Sequence, residues 1–296
     1  MKSKEDKGVE SLQKALKNKK IRIIAMLAPS FIAEFSYPEV ISQLKELGFD
    51  KITELTFGAK MINRDYHEQL KQIKESGLLI STVCPGIVST IKSKFPKYAE
   101  NLAKIDSPMI ATAKICKKFY PKHKTCFLSP CFFKKVEAEN SEYVDYVITY
   151  QELHLLLDSQ PNKNHNSPHS KKNLAHTSAS FDKFYNDYTK IYPLSGGLSK
   201  TAHLKEVLKP GQEKIIDGIL EVEKFLKKYN KKSKIRFLDV TFCKGGCIGG
   251  PCVTTALSLE QKKKKILDYM EKSKHEDIPE AKKGLIEKAK GIKFSW

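Results

Sequence analysis

Residues 234 to 252 read "KIRFLDVTFCKGGCIGGPC", and this stretch organises the reading of the whole chain. Its first part, "KIRFLDV", is a short apolar run of the kind that forms a buried strand. The segment that follows, "FCKGGCIGGPC" at 242 to 252, puts three cysteines and four glycines into eleven residues, a poor composition for helix or strand. Glycine permits close backbone approach, and successive amides in such a loop can point at a bound inorganic group. A strand that delivers thiols into a glycine-rich loop points to a ligand rather than to packing.

The arrangement has two counterparts upstream. "GLLIST" reads as an apolar strand ending before Cys84, and "KTCFLS" as one ending before Cys131. Cys84, Cys131 and Cys243 thus each follow the carboxyl end of an expected strand, where open α/β sheets bind ligands. With Cys247 they make four thiolates, a set suited to a cubane [4Fe-4S] cluster. The spacing of Cys243 and Cys247 differs from the paired CxxC knuckles of common zinc sites. Zinc also accepts four sulfurs, however, and inert or redox-active thiols are a third reading. Cys116 falls in an apolar-periodic helix and Cys126 inside a strand, so both read as core residues. Cys252 could be a spare thiol, a supporting group or an alternative ligand. Lys134 and Glu137, in "SPCFFKKVEAE", come one and two helical turns after Cys131. A lysine ammonium there can donate to an anionic ligand, with the carboxylate fixing it or relaying protons. The plain alternative is a surface ion pair.

Outside these segments, "IRIIAML", "KITEL" and "YVDYVIT" read as strands. "SYPEVISQLKELG" reads as a helix capped by Ser36 and ended by Gly48, and Thr149 with Glu152 forms a capping box opening another. "DYHEQLKQIKES", "PMIATAKICKKFY" and "QEKIIDGILEVEKFLKKY" read as further helices. Strands alternating with helices give an α/β class, in two lobes with mixed or parallel sheets flanked by helices. Residues 1–20 read as a basic extension before a domain at 21–296. A polar insertion at 159–180 carries His165, His169 and His176 with no cysteine or carboxylate among them.

At 296 residues and 40% hydrophobic content, a substantial core is expected. No apolar run reaches membrane-spanning length, and the amino terminus lacks the apolar region of a secretory signal, so the cytoplasm is the expected location. There, seven cysteines are not a disulfide framework. The net charge of +19 comes almost wholly from lysine, since only Arg22, Arg64 and Arg236 among the 53 basic residues are arginines. Arginine is the usual reader of bases and phosphates, so specific nucleic-acid binding is not expected. The lysine surface could attract an acidic protein.

"STVCPG", "SPCFFKKVEAE" and "TFCKGGCIGG" together resemble, in order, the three cysteine motifs of the hydrogen-cluster domain of [FeFe]-hydrogenases. "LAPS", "DSPM", "VDYVITYQEL" and "YPLSGGLSKTA" extend the resemblance over roughly residues 21 to 270. It implies that Cys84, Cys131, Cys243 and Cys247 hold a [4Fe-4S] cluster in a cleft between two lobes. It further implies that Cys247 bridges to a diiron subcluster with CO, CN and bridging dithiolate ligands, beside Lys134. Such a centre interconverts dihydrogen with protons and electrons, with Ser107 and Glu137 on the outer proton route and electrons coming from a ferredoxin or redox partner subunit.

The departures from the family pattern are specific. The residue before the first ligand is usually a cysteine that moves protons; here it is Val83, with nothing to exchange. Ser129 and Thr241 stand for two methionines, Ile87 for a tryptophan, and Pro251 and Cys252 for further glycine-rich sequence. These changes resemble sensory or slow members of the family. A divergent branch works in cytosolic iron-sulfur assembly without the diiron centre, and the closing "FSW" resembles the terminal tripeptide of some clients of that machinery. The expectation is therefore slow or regulatory dihydrogen activation. Its alternative is a [4Fe-4S] electron-transfer or assembly protein.

Overall fold

Short, almost uniformly apolar strands need helices on both faces, and the chain supplies them. The structure, a computed structural model, describes residues 4–159, 180–182, 188–230, 233–274 and 289–296. The polar insertion, including its three histidines, lies outside the described residues apart from its end positions. Among the described residues there are seven strands: β1 (Arg22–Leu27), β2 (Lys51–Glu54), β3 (Leu79–Ile80), β4 (His123–Ser129), β5 (Tyr146–Thr149), β6 (Glu213–Asp217) and β7 (Phe237–Thr241). The helices are α1 (Lys4–Lys17), α2 (Glu39–Glu46), α3 (Thr56–Gln72), α4 (Pro85–Lys94), α5 (Pro108–Phe119), α6 (Phe133–Glu139), α7 (Tyr150–Asp158), α8 (Gly197–Thr201), α9 (Ile219–Lys228) and α10 (Leu259–Lys274).

The strands form two sheets, ordered β2-β1-β4-β5 and β3-β7-β6. Every pairing is parallel, so within each sheet all carboxyl ends lie on one edge. In the first sheet the period-two alternation of a strand divides the core. Ile23, Ala25 and Leu27 meet Leu12 of α1, Val40, Ile41 and Leu44 of α2, and Leu153, Leu156 and Leu157 of α7. Ile24, Met26 and Phe127 face Met109, Ala113 and Cys116 of α5. In the second sheet, Ile80, Leu238 and Val240 pack on Ile87 and Ile91 of α4 and Val222 and Leu226 of α9. Leu79 and Phe237 face Met61, Ile62, Tyr66 and Leu70 of α3. Each such aliphatic side chain, fully buried, contributes about 1.5–3 kcal/mol. Cys116 and Cys126 belong to this core.

Three expectations change. Residues 212–229 are not one helix: β6 and α9 meet at Gly218, whose φ of +91° breaks helical geometry. β6 earns its place by pairing along all five residues of β7, a tertiary gain that the helical periodicity of 215–226 conceals. Ser36 does not cap α2, which opens at Glu39 after Pro38 without a side-chain cap; Val40 N–H instead reaches the Ser36 backbone carbonyl at 3.0 Å. The helix expected over 65–76 starts earlier, at Thr56, directly after β2. Residues 1–20 contain α1, with Leu12 and Ala15 buried in the core. Elsewhere the Thr149–Glu152 capping box forms, with reciprocal bonds of 2.7 Å and 3.2 Å. No helix among the described residues is long and apolar enough to cross a membrane.

Candidate functional site

Three strands of two sheets end where the cysteines begin. Cys84 follows β3 and stands at the N-cap position of α4, with Pro85 in its first turn. Cys131 follows β4 and opens the turn into α6. Cys243 follows β7, and Cys247 lies one glycine pair further on. All four line one cavity of ≈ 100 Å³, walled mainly by apolar side chains including Met109, Phe127, Leu194, Leu198 and Phe242. Lys134 lines the same cavity.

The local sequence explains how each thiol is aimed. Gly246 has φ +80°, and a Cβ there would lie 2.4 Å from the Pro193 carbonyl oxygen. Only glycine lets the loop lie against residues 193–195, and the Cys247 N–H then reaches the Pro193 carbonyl at 2.7 Å. The Gly245 N–H donates to Asp217 at 2.7 Å, tying the loop to the end of β6. At Cys131, the Ser129 hydroxyl accepts from the Cys131 N–H at 3.0 Å and donates to the Cys131 carbonyl at 2.7 Å. Thr241 does the same half-turn work for Cys243, donating to its carbonyl at 3.3 Å. The two hydroxyls that differ from the family pattern are therefore spent on shaping the cysteine turns. The Phe133 N–H donates to Cys131 Sγ at 3.4 Å.

Electrostatics around the thiols are those of crowded, desolvated sulfur. Burial pushes Cys131 up to about 11, against the Phe133 amide, and Cys243 up to about 12. Cys247 goes higher still, through burial and then through Cys84, Cys131 and Cys243 acting as like-charged neighbours. Its side chain has accessible surface, but this opens into the cavity, where protein surrounds the sulfur. Burial thus favours the neutral thiol at Cys131, Cys243 and Cys247, and a thiolate at any of them needs a cationic partner. Among the described residues no group of three or more His, Cys, Asp or Glu side chains, the four cysteines included, stands close enough together to hold a metal, so the expected cluster-binding arrangement is not formed beyond the shared cavity lining.

Lys134 is held by Glu137 at 2.6 Å and by the Val83 carbonyl at 3.4 Å. Glu137 faces a second, outer cavity of ≈ 900 Å³, shared with Asp106, Ser107 and Lys114. The Lys134–Glu137 pair therefore lies between the two cavities. Ser107 is nearly fully buried and caps α5, accepting from the Ile110 N–H at 3.5 Å. Val83 packs its side chain among apolar neighbours of the core. Cys252 does not line the cysteine cavity; its sulfur sits behind Cys131, near Thr149 and the Phe132 amide. Phe294 is buried and Trp296 donates from Nε1 to the Ile105 carbonyl at 3.1 Å, so "FSW" lies beside the outer cavity.

Sequence reasoning passed over three groups around the cysteine cavity. Asp239 lines it from the middle of β7 and is 2% exposed. Tyr192 lines it with a buried hydroxyl that has no hydrogen-bond partner among the described residues. Tyr66 is completely buried next to it, on α3. The available signal was Asp239 itself, a lone carboxylate inside the apolar run "IRFLDV".

Residues 21–251 match the family described as iron only hydrogenase large subunit, C-terminal domain. Iron hydrogenase 1 of Clostridium pasteurianum is 24% identical over 307 residues, covering 83% of this chain and 52% of that protein. The cytosolic Fe-S cluster assembly factor NAR1 of Candida dubliniensis is 30% identical over 144 residues, covering 40% of this chain and 25% of its own. The chain thus spans about half the length, or less, of these curated relatives. Among solved structures, [FeFe]-hydrogenase HydA(deltaEFG) superposes with a TM-score of 0.64 at 16% identity, covering 88% of both chains. A variant of [FeFe]-hydrogenase HydA1 from Chlamydomonas reinhardtii gives 0.62 at 16% identity, again with 88% of both. At that identity the superpositions establish the fold. The extent of the family match establishes more: the chain belongs to the family formed by the carboxyl-terminal domains of iron-only hydrogenase large subunits.

Proposed function

We propose that this chain is an iron-sulfur protein in which Cys84, Cys131, Cys243 and Cys247 hold a [4Fe-4S] cluster in a cleft between two α/β lobes, for electron transfer or iron-sulfur assembly. The observation that supports the reading is the shared cavity: four thiols from three strand ends, contributed by both sheets, line one partly open space. When bound, a [4Fe-4S] cluster supplies one-electron redox chemistry. The protein's part is to position the sulfurs through Ser129, Thr241 and Gly246, to exclude water with apolar walls, and to offer amide donors such as Phe133 N–H. Electrons would come from an external carrier, for which the lysine-rich surface favours an acidic one such as a ferredoxin. Cytoplasmic placement fits the use of reduced thiols.

The reading without a diiron centre rests on two points. Val83 offers no proton relay beside the first ligand, and a stretch of 144 residues is 30% identical to the cytosolic Fe-S cluster assembly factor NAR1. A second reading, slow or regulatory dihydrogen activation at a diiron subcluster, is favoured by one specific observation. Lys134 lines the cavity with a side chain only 12% exposed, positioned to donate to an anionic ligand there. Ser107 and Glu137 would then serve the outer proton route.

Anaerobic reconstitution followed by infrared spectroscopy separates the readings. A cubane without terminal CO and CN bands after exposure to the diiron maturation machinery supports the first. Those bands, with hydrogen turnover that rises in Val83→Cys, would establish the second instead.

A further inference from the structure

The three loops that carry Cys84, Cys131 and Cys243 meet in an aromatic contact. Gly86, in the first turn of α4, lies two residues after Cys84, and Phe133, opening α6, lies two after Cys131. Phe242 follows β7 and immediately precedes Cys243. The Phe133 and Phe242 rings are 5.0 Å apart, inclined at 59°. A Cβ on Gly86 would stand 3.0 Å from Cδ2 and Cε2 of Phe133 and 3.0 Å from Cδ2 of Phe242. Inside a helix glycine is a cost rather than a help, so the two rings occupying that space account for it.

By chain, Phe133 belongs to the first sheet, whereas Gly86 and Phe242 belong to the second, after β3 and β7. Phe242 and Cys84 pack on the core of that second sheet. The Phe133 ring is therefore a key from one sheet seated in a slot of the other. Each side of the slot is tied to a thiol. The Phe133 N–H donates to Cys131 Sγ at 3.4 Å, the Ile87 N–H holds the Cys84 carbonyl at 3.1 Å, and Phe242 lines the cysteine cavity. On the outer side the Phe132 ring packs on Phe133 at 4.8 Å and is 44% exposed. The same turn makes a second tie across the sheets, from Lys134 Nζ to the Val83 carbonyl at 3.4 Å. A long bond on a flexible side chain fixes the separation of the sheets less firmly than packed rings do.

The four thiols line one cavity, yet among the described residues they do not stand close enough together to hold a metal. The separation of the two sheets thus decides whether they can share a cluster. We propose that Phe133, seated between Gly86 and Phe242, is a positioning residue that couples the sheets at the cysteine cavity and governs how firmly a cluster is held there. The inference rests on the [4Fe-4S] reading of the site. Phe133 acts through Cys131 and through the slot that carries Cys84 and Cys243.

The test is the rate at which the anaerobically reconstituted protein loses iron to excess ferrozine under dithionite, followed by absorbance. Phe133→Ala should load iron and then lose it about tenfold faster or more, as when a group supporting a metal ligand is removed. Phe133→Leu, which keeps apolar bulk in the slot, should recover most of the parental rate. Gly86→Ala, which drives a methyl into both rings, should also speed the loss, and by much less when Phe133→Ala is already present, because the two act on one contact. Phe133→Leu and Gly86→Ala decide the matter if Phe133→Ala does not fold. Iron loss at the parental rate in Phe133→Ala overturns the proposal. So does a Phe133→Leu no slower than Phe133→Ala, or a Gly86→Ala effect of equal size in both backgrounds. A parent that takes up no iron defeats the four-cysteine site itself, and the contact is then judged on the metal-free chain by iodoacetamide labelling and peptide mass spectrometry. Faster labelling of Cys131 and Cys243 in Phe133→Ala, with the core residues Cys116 and Cys126 unchanged, upholds the coupling; unchanged labelling of all four overturns it.

Discussion

Ser129 and Thr241 show what a single residue can change at this site. The family resemblance leads one to expect methionines at both positions, as apolar contacts near a diiron centre; here both hydroxyls close turns at the cysteines that follow. The cysteines were legible individually from their place after apolar strands, but the work of these hydroxyls was not, because a turn-closing bond depends on backbone geometry that no spacing records. Replacing any one of Cys84, Cys131, Cys243 or Cys247 with serine should drop iron well below the level of the parent, about four atoms per chain. Cys252→Ser should leave iron unchanged, since its sulfur is outside the cavity; iron analysis after anaerobic reconstitution decides both. Asp239 gives a pH prediction for the metal-free chain. Its folded value, near 6, is above the ordinary 3.8, so the folded state binds the proton more tightly than the unfolded one. The stability this contributes is complete below about pH 4 and is lost as pH rises through 6. Asp239→Asn should therefore stabilise the metal-free protein at pH 7 by about 1–3 kcal/mol and flatten its melting-temperature profile between pH 4 and 6. A destabilised variant at pH 7 would contradict this.

Among the elements, the loops that carry the thiols are more exacting than the helices around them. Gly246→Ala would force a Cβ to within 2.4 Å of the Pro193 carbonyl and strain a φ of +80°, so cluster uptake should be lost. Gly218→Ala meets only the flexible Lys244 side chain, at 3.8 Å, and its φ of +91° should cost about 1–2 kcal/mol with iron retained. Denaturant melts and iron content of the two variants separate a cluster-positioning glycine from a hinge. Removing the capping box with Thr149→Ala should cost about 1 kcal/mol. That box was legible because its bonds are local, three residues apart. The Gly218 break was not: the apolar residues of 215–226 suit a helix, and only pairing with β7, some twenty residues away in sequence, turns the first five into a strand.

At the scale of the molecule, an α/β class with mixed or parallel sheets was readable from alternating strands and helices, whereas the all-parallel pairing and the division of strands between two sheets depended on long-range contacts. The same limit applies to the polar group that joins α10 to the first sheet. Lys190 and Glu54 are fully buried and 2.7 Å apart, with the Tyr269 hydroxyl of α10 bonded to both. Lys190→Met should cost roughly 3–5 kcal/mol by leaving the Glu54 charge uncompensated, while Tyr269→Phe should cost about 1–2 kcal/mol. Equal effects in thermal melts would contradict that account. The strand ends of the two sheets bring cysteines from 84 to 247 to one cavity. Whether those sulfurs bind a cluster is answered most directly by anaerobic reconstitution with iron and sulfide quantified and Mössbauer spectra recorded. The account predicts about four iron and four sulfide per chain, with the spectrum of a single cubane. Folded protein that binds no iron, or that binds one zinc or iron ion without sulfide, would contradict it.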